Sequence, residues 1–142
     1  MQLRVLAIGK LRDSRLEGVC DEYVKRSRSL LPIERVACRS AADQERLAGQ
    51  DGAPVIVLDE RGEQLDTAAL AALLGSMRSA GRRRVDFLIG DAHGYDDAAR
   101  ARADRVLALS RLTLPHRLAQ LLLCEQLYRV GTVLAGHPYH HA

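Results

Sequence analysis

Short aliphatic runs alternate along the chain with stretches in which apolar residues recur every three or four positions. Residues 3–8 (LRVLAI) read as a buried strand that ends at Gly9, and residues 14–28 place Leu16, Val19, Cys20, Tyr23 and Val24 at helical spacing. Residues 33–38, opened by Pro32, are a second strand. Residues 43–49 make at most a brief helix before the turn signals Asp51-Gly52 and Pro54. A third strand over 55–58 leads into a turn at Glu60-Arg61-Gly62-Glu63 and a helix over 67–79 that shows Leu70, Leu73, Leu74 and Met77 on one face. A fourth strand over 85–89 stops at Gly90, followed by a short polar helix over 96–104 and a fifth strand over 105–109. Pro115 then opens a helix to about Val130, and the tail from Gly136 is irregular.

Strands with no polar face must be covered on both sides, so this alternation predicts an α/β sandwich built on a parallel sheet. The whole chain, 1–142, reads as one domain, without repeat, linker or low-complexity segment. In such sheets ligands collect beyond the carboxyl ends of the strands, which points to the loops after Leu58, Ile89 and Leu109.

Composition adds little. With 47% hydrophobic and 27% charged residues the chain is that of a folded soluble protein, and no apolar run approaches the ~20 residues a membrane span needs. A cytoplasmic location is the expectation. Cys20, Cys38 and Cys124 are odd in number and widely spaced, as reduced buried residues are. The net charge of +3 favours a polyanionic partner only mildly, although 19 of the 21 basic residues are arginine, whose planar fork suits phosphate.

Three segments could carry chemistry. The run Phe87 to Tyr95 (FLIGDAHGY) puts Gly90 and Gly94 in the turn after a central strand, where a missing Cβ lets backbone approach a ligand. Taken alone, such a pair is more often a tight turn than a cofactor loop. The run Ala108 to His116 (ALSRLTLPH) stays apolar after its strand and then meets a helix-starting proline, so it lines either an apolar slot or a buried connection. The following helix carries Leu118, Leu121, Leu122, Leu123, Cys124, Leu127 and Tyr128, apolar around too much of its circumference for one sheet contact, and a dimer interface would use the excess. The third segment is the tail, His137-Pro138-Tyr139-His140-His141-Ala142. Structural zinc wants four ligands and none lies nearby in sequence, so no metal site is expected; a frayed end and a clamp for an unstacked base are the two remaining readings.

Residues 3–10 (LRVLAIGK) and the pair Glu22-Tyr23, followed in order by 112–116 (LTLPH), 125–129 (EQLYR) and 136–140 (GHPYH), resemble the RlmH family of SPOUT-class ribosomal RNA methyltransferases from end to end. The resemblance implies a C-terminal trefoil knot, a homodimer, S-adenosyl-L-methionine (SAM) bound in the knot, and methylation of N3 of a pseudouridine in large-subunit (23S) ribosomal RNA on the assembled ribosome. The implied cofactor contacts are Leu58, Gly90, Leu109, Ser110, Arg111, Leu112, Thr113 and Leu114. The clustered terminus beside that cofactor site makes Arg129, Tyr139 and His140 the candidate catalytic residues, with His137, Tyr139 and His140 against the substrate. The sequence departs from the family at Asp91, where a second glycine is usual, at His141, where arginine or lysine is usual, and across 39–54, which is shorter. Asp91 and His141 suggest a rival reading, a knotted RNA-binding module with impaired catalysis.

Overall fold

The computed structural model describes residues 1–141. It has five strands, β1 (Gln2–Ile8), β2 (Ile33–Cys38), β3 (Val55–Gln64), β4 (Arg84–Ile89) and β5 (Arg105–Ala108). All pair in parallel, in the order β2-β1-β4-β3-β5. Five α-helices connect them: α1 (Ser14–Arg26), α2 (Ala41–Leu47), α3 (Thr67–Ser79), α4 (Asp97–Arg102) and α5 (His116–Ala135). The predicted α/β sandwich is the fold observed.

Both sheet faces are buried, as aliphatic strands require. One face packs Leu3, Val5, Ile56, Val85, Phe87 and Leu107 against Leu70 and Leu74 of α3 and Leu123, Leu127 and Val130 of α5. The other packs Leu6, Val57 and Leu88 against Leu47 of α2 and Tyr95 and Ala103 around α4. Cys20 and Cys124 join α1 to α5 with Leu11, and all three cysteines are free and buried. Asp86 is fully buried in β4. It accepts from Arg4 Nε at 3.0 Å and Nη2 at 2.9 Å, from Arg84 Nε at 2.9 Å and from the Gly49 amide at 2.9 Å, so its charge is matched on every side.

Helix ends follow their capping residues. Asp13, Ser40, Asp66 and Asp96 accept backbone N–H groups at the starts of α1, α2, α3 and α4. Helix α5 runs five residues beyond the predicted end at Val130. It closes at Gly136 (φ 70°), where the Gly136 and His137 amides donate to Val133 and Thr132 carbonyls in a Schellman arrangement.

The main departure from expectation is β3. Instead of reversing at residues 60–63, the strand continues: Leu58 pairs with Leu107, four residues bow out, and Glu63 pairs with Leu107 again. Gly62 makes this possible. A Cβ there would lie 2.7 Å from the Leu107 carbonyl carbon and from the carbonyl carbon and oxygen of Val106, all backbone atoms. Gly62→Ala is therefore expected to cost about 1–3 kcal/mol through overpacking that a side chain cannot relieve. Gly18→Ala, exposed in α1 with nothing within 4 Å of its Cβ, is expected to stabilise by about 0.5–1 kcal/mol. Urea unfolding of the two variants checks both signs.

Candidate functional site

The bowed segment of β3, the loop leaving β4 and the loop leaving β5 meet at the carboxyl edge of the sheet and enclose a cleft of about 620 Å³. That is within the usual range for small-molecule sites. Leu58, Leu109 and Leu114 give it apolar walls; Glu60, Asp91 and Thr113 are among its polar groups, and His116 opens α5 beside it.

Each wall is fixed by contacts that the local sequence supplies. Asp59, with only 3% of its side chain exposed, accepts from the Arg61 backbone amide at 2.9 Å and Arg61 Nε at 3.1 Å, and Arg100 Nη1 lies 3.6 Å away. Burial acts to raise the Asp59 carboxyl, but the Arg61 amide and guanidinium bonds, with Arg100, hold it below its ordinary value. Thr113 Oγ1 donates to Glu60 Oε2 at 3.0 Å, tying the β5 loop to the bow. In the β4 loop, Asp91 accepts the His93 amide on Oδ1 at 2.9 Å and the Gly94 amide on its carbonyl at 3.1 Å. Asp91 does not need positive φ, since Gly94 (φ 67°) is the residue of this loop that adopts it.

Seven of the eight positions implied as cofactor contacts line this cleft: Leu58, Gly90, Leu109, Ser110, Leu112, Thr113 and Leu114. Arg111 does not; it is exposed and donates from Nε to Gln64 Oε1 at 2.9 Å. Asp59, Glu60 and Arg61 were not among the expected site residues. A charged triplet ending an aliphatic strand just before a glycine is the signal they left.

Arg129, His137, Tyr139 and His140 form a second cluster. The tail packs on α5: Tyr139 Oη donates to Glu125 Oε1 at 3.2 Å, and Arg129 Nε donates to the same oxygen at 2.8 Å. The Arg129 guanidinium lies 4.7 Å from the Tyr139 ring centre, and the Tyr128 ring meets Tyr139 edge-on at 4.7 Å. His137 Nδ1 accepts the Tyr139 amide at 3.2 Å, while His140 Nδ1 is buried with no hydrogen-bond partner among the described residues. The tail is thus docked on α5 through Tyr139 rather than frayed; Ala142 lies outside the described residues. None of these four residues lines the cleft of its own chain, and Arg129 stands thirteen positions along α5 from His116 at the cleft, a rise of about 20 Å at 1.5 Å per residue. One chain does not bring them together.

A parallel α/β sheet whose cleft is made by three loops at its carboxyl edge defines a small-ligand-binding α/β protein. Residues 1–140 match the family described as "Predicted SPOUT methyltransferase", and the chain belongs to that family. A "Ribosomal RNA large subunit methyltransferase H" from Geobacter metallireducens is 41% identical over 155 residues, covering all of both chains. Another of the same name from Rhizobium meliloti is 39% identical over 160 residues, again covering both completely. Among solved structures, "a probable methylase family protein" from Haemophilus influenzae shares the fold at TM-score 0.61 and 14% identity, over 99% of this chain and 70% of that one.

Burial, followed by the contacts with Tyr23 and Glu125, pushes the Tyr139 phenol up to about 12. A raised value means that the docked tail gains stability fully present below the ordinary tyrosine value near 10 and lost as pH rises from there toward 12. In absorbance titrations at 295 nm, the difference between the native protein and Tyr139→Phe is expected to show a midpoint near 12. A midpoint near 10 would mean that the tail is not docked in solution.

Proposed function

We propose that the cleft binds S-adenosyl-L-methionine and that the protein methylates large-subunit ribosomal RNA at N3 of a pseudouridine, acting on the assembled ribosome in the cytoplasm as a homodimer. The observation that carries this reading is the convergence of Leu58, Gly90, Leu109, Ser110, Leu112, Thr113 and Leu114 on one cleft. The full-length similarity to large-subunit rRNA methyltransferases supports the substrate class. The pseudouridine N3 specificity and the trefoil knot rest on the RlmH resemblance. The segment 109–115, running from β5 to α5 past the other two loops, is the part that a knot would thread.

The residues present fit the cofactor. Leucine side chains offer an apolar wall for an adenine ring, backbone groups at Gly90 and along 109–114 offer its hydrogen bonds, and Glu60 and Asp91 place negative charge near a cationic ligand. Bound there, S-adenosylmethionine supplies a methyl group already electrophilic on sulfur, so alignment is the main task left to the protein. Transfer to N3 would leave the bonding electron pair on the departing sulfur and would require the N3 proton to be accepted by the protein. The Arg129 guanidinium is suited to the negative charge that develops on the flanking carbonyls, and the unpaired Nδ1 of His140 is suited to the proton. Tyr139 would hold the base and His137 would orient the tail.

These groups reach the cleft only from a partner subunit. Helix α5 leaves Leu118 and Leu122, one turn apart and each 42% exposed, and Val19 of the neighbouring α1 is 43% exposed. Leu121, Leu123, Cys124, Leu127 and Tyr128 are used within the chain, and the leucines left over suit a smaller interface. A two-fold pairing on that face would run the two α5 helices past each other and carry each tail toward the other subunit's cleft.

Tritium transfer from labelled SAM to ribosomes of a strain lacking this protein tests the activity, with stripped rRNA alongside. Label at a large-subunit pseudouridine is expected; no label on ribosomes shown to be unmodified would leave the RNA-binding module as the reading. Deleting residues 137–142 is expected to lower transfer by at least a hundredfold, in line with the loss of positioned acid–base and charge-stabilising groups. Calorimetry should then show SAM affinity unchanged within about twofold, well under the tenfold that corresponds to 1.4 kcal/mol. Turnover by the truncated protein would remove the tail from the mechanism.

A further inference from the structure

The loop leaving β4 is held from behind by a residue on the opposite side of the sheet from α5. We propose that Gln44 and Tyr95 form a latch that fixes the glycine loop against the cleft, and that both are positioning residues for cofactor binding; this rests on reading the cleft as the SAM site.

Gln44 sits on α2 with 2% of its surface exposed. Its side-chain amide makes three hydrogen bonds. Nε2 donates to the Leu6 carbonyl at 2.8 Å and the Ile89 carbonyl at 3.0 Å, and Oε1 accepts from Tyr95 Oη at 2.9 Å. Two carbonyls against one end of the amide settle its orientation, because only the NH2 group can donate to both. Those carbonyls lie on the adjacent strands β1 and β4, two residues short of the end of β1 and at the last residue of β4, immediately before Gly90.

Tyr95 pins the far end of the same loop. Its ring lies on Gly90, where a Cβ would sit 3.0 Å from Cε2 and 3.2 Å from Cζ, so a side chain at residue 90 would push the ring outward. Burial raises the Tyr95 phenol above its ordinary value, which keeps it neutral and able to donate. Its backbone carbonyl accepts from Arg61 Nη2 at 3.2 Å and from Arg100 Nη1. Between these pins, Asp91, Ala92, His93 and Gly94 line the cleft, and the bonds within the loop are the two turn contacts to Asp91. The cleft wall is therefore as rigid as its two ends. Loosening either end adds an ordering cost at the moment of binding, which appears in cofactor affinity rather than in transfer once the complex has formed.

Tyr95→Phe keeps the ring over Gly90 and removes only the hydrogen bond to Gln44, leaving a buried amide oxygen unsatisfied. Its KM for SAM on ribosomes is expected to rise about five- to tenfold, the effect of one lost buried hydrogen bond, with kcat within about twofold and the KM for ribosomes unchanged. Hydrogen exchange on the unliganded protein is expected to speed up over residues 90–95 alone. The exchange measurement needs no cofactor, so it separates the two readings: a native protein that binds no SAM sinks the cleft assignment, while exchange in Tyr95→Phe still reports on the latch. Unchanged exchange over 90–95, or a kcat that falls with exchange rising throughout the sheet, would overturn the latch.

Discussion

The cleft depends on one close approach of two backbones. At Gly62 the chain passes so near Val106 and Leu107 that no side chain can be accommodated, and this lets β3 pair with Leu107 twice while residues 59–62 bow outward between the two pairings. The bow becomes a wall of the site. It carries Asp59 into contact with Arg61 and Arg100, and Glu60 into reach of Thr113. A bulge that re-aims side chains beside a site is a recurrent use of irregularity in sheets. Here its extra residues bridge the three strand-end loops that would otherwise be separate.

Behind that edge, polar groups hold the sheet where apolar packing alone would leave strand ends free to shift. Asp86 gathers Arg4, Arg84 and the Gly49 amide in the middle of β4, and Gln44 bridges β1 and the end of β4. Removing one partner from such a set leaves a buried charge or dipole unpaired, so each set fixes register at a cost that only the complete arrangement offsets. The cleft is rigid on the sheet side for this reason, and open on the side from which a substrate and a second subunit would arrive.

Much of this was legible in the sequence. Aliphatic runs of strand length separated by helical periodicity gave the parallel sheet, and the general rule for α/β folds pointed to the loops after Leu58, Ile89 and Leu109 that line the cleft. What stayed hidden required contacts between distant residues. Glu60-Arg61-Gly62-Glu63 has turn composition, and only the proximity of β5 turns it into a bulge. The brief helix of residues 41–47 carries no obvious signal, yet it delivers Gln44, because its importance lies in three long-range hydrogen bonds. In the tail, histidines and a tyrosine suggested either fraying or a clamp. The Schellman closure at Gly136 and the partners Glu125, Arg129 and Tyr128, all on α5, decide for a docked segment.

We propose that each working site joins the cleft of one subunit to the tail of the other, since none of Arg129, His137, Tyr139 and His140 lines the cleft of its own chain. Mixed dimers of two inactive proteins test it most directly: one with Tyr139 and His140 replaced by alanine, the other with Gly90→Leu, whose side chain displaces the Tyr95 ring and so distorts the cleft wall. Co-expressed and purified as the heterodimer, they should regain methyl transfer up to about half the native rate, because one intact cleft then faces one intact tail. If each tail served its own cleft, both halves would remain defective, and a mixed dimer as inactive as its parents would contradict the account.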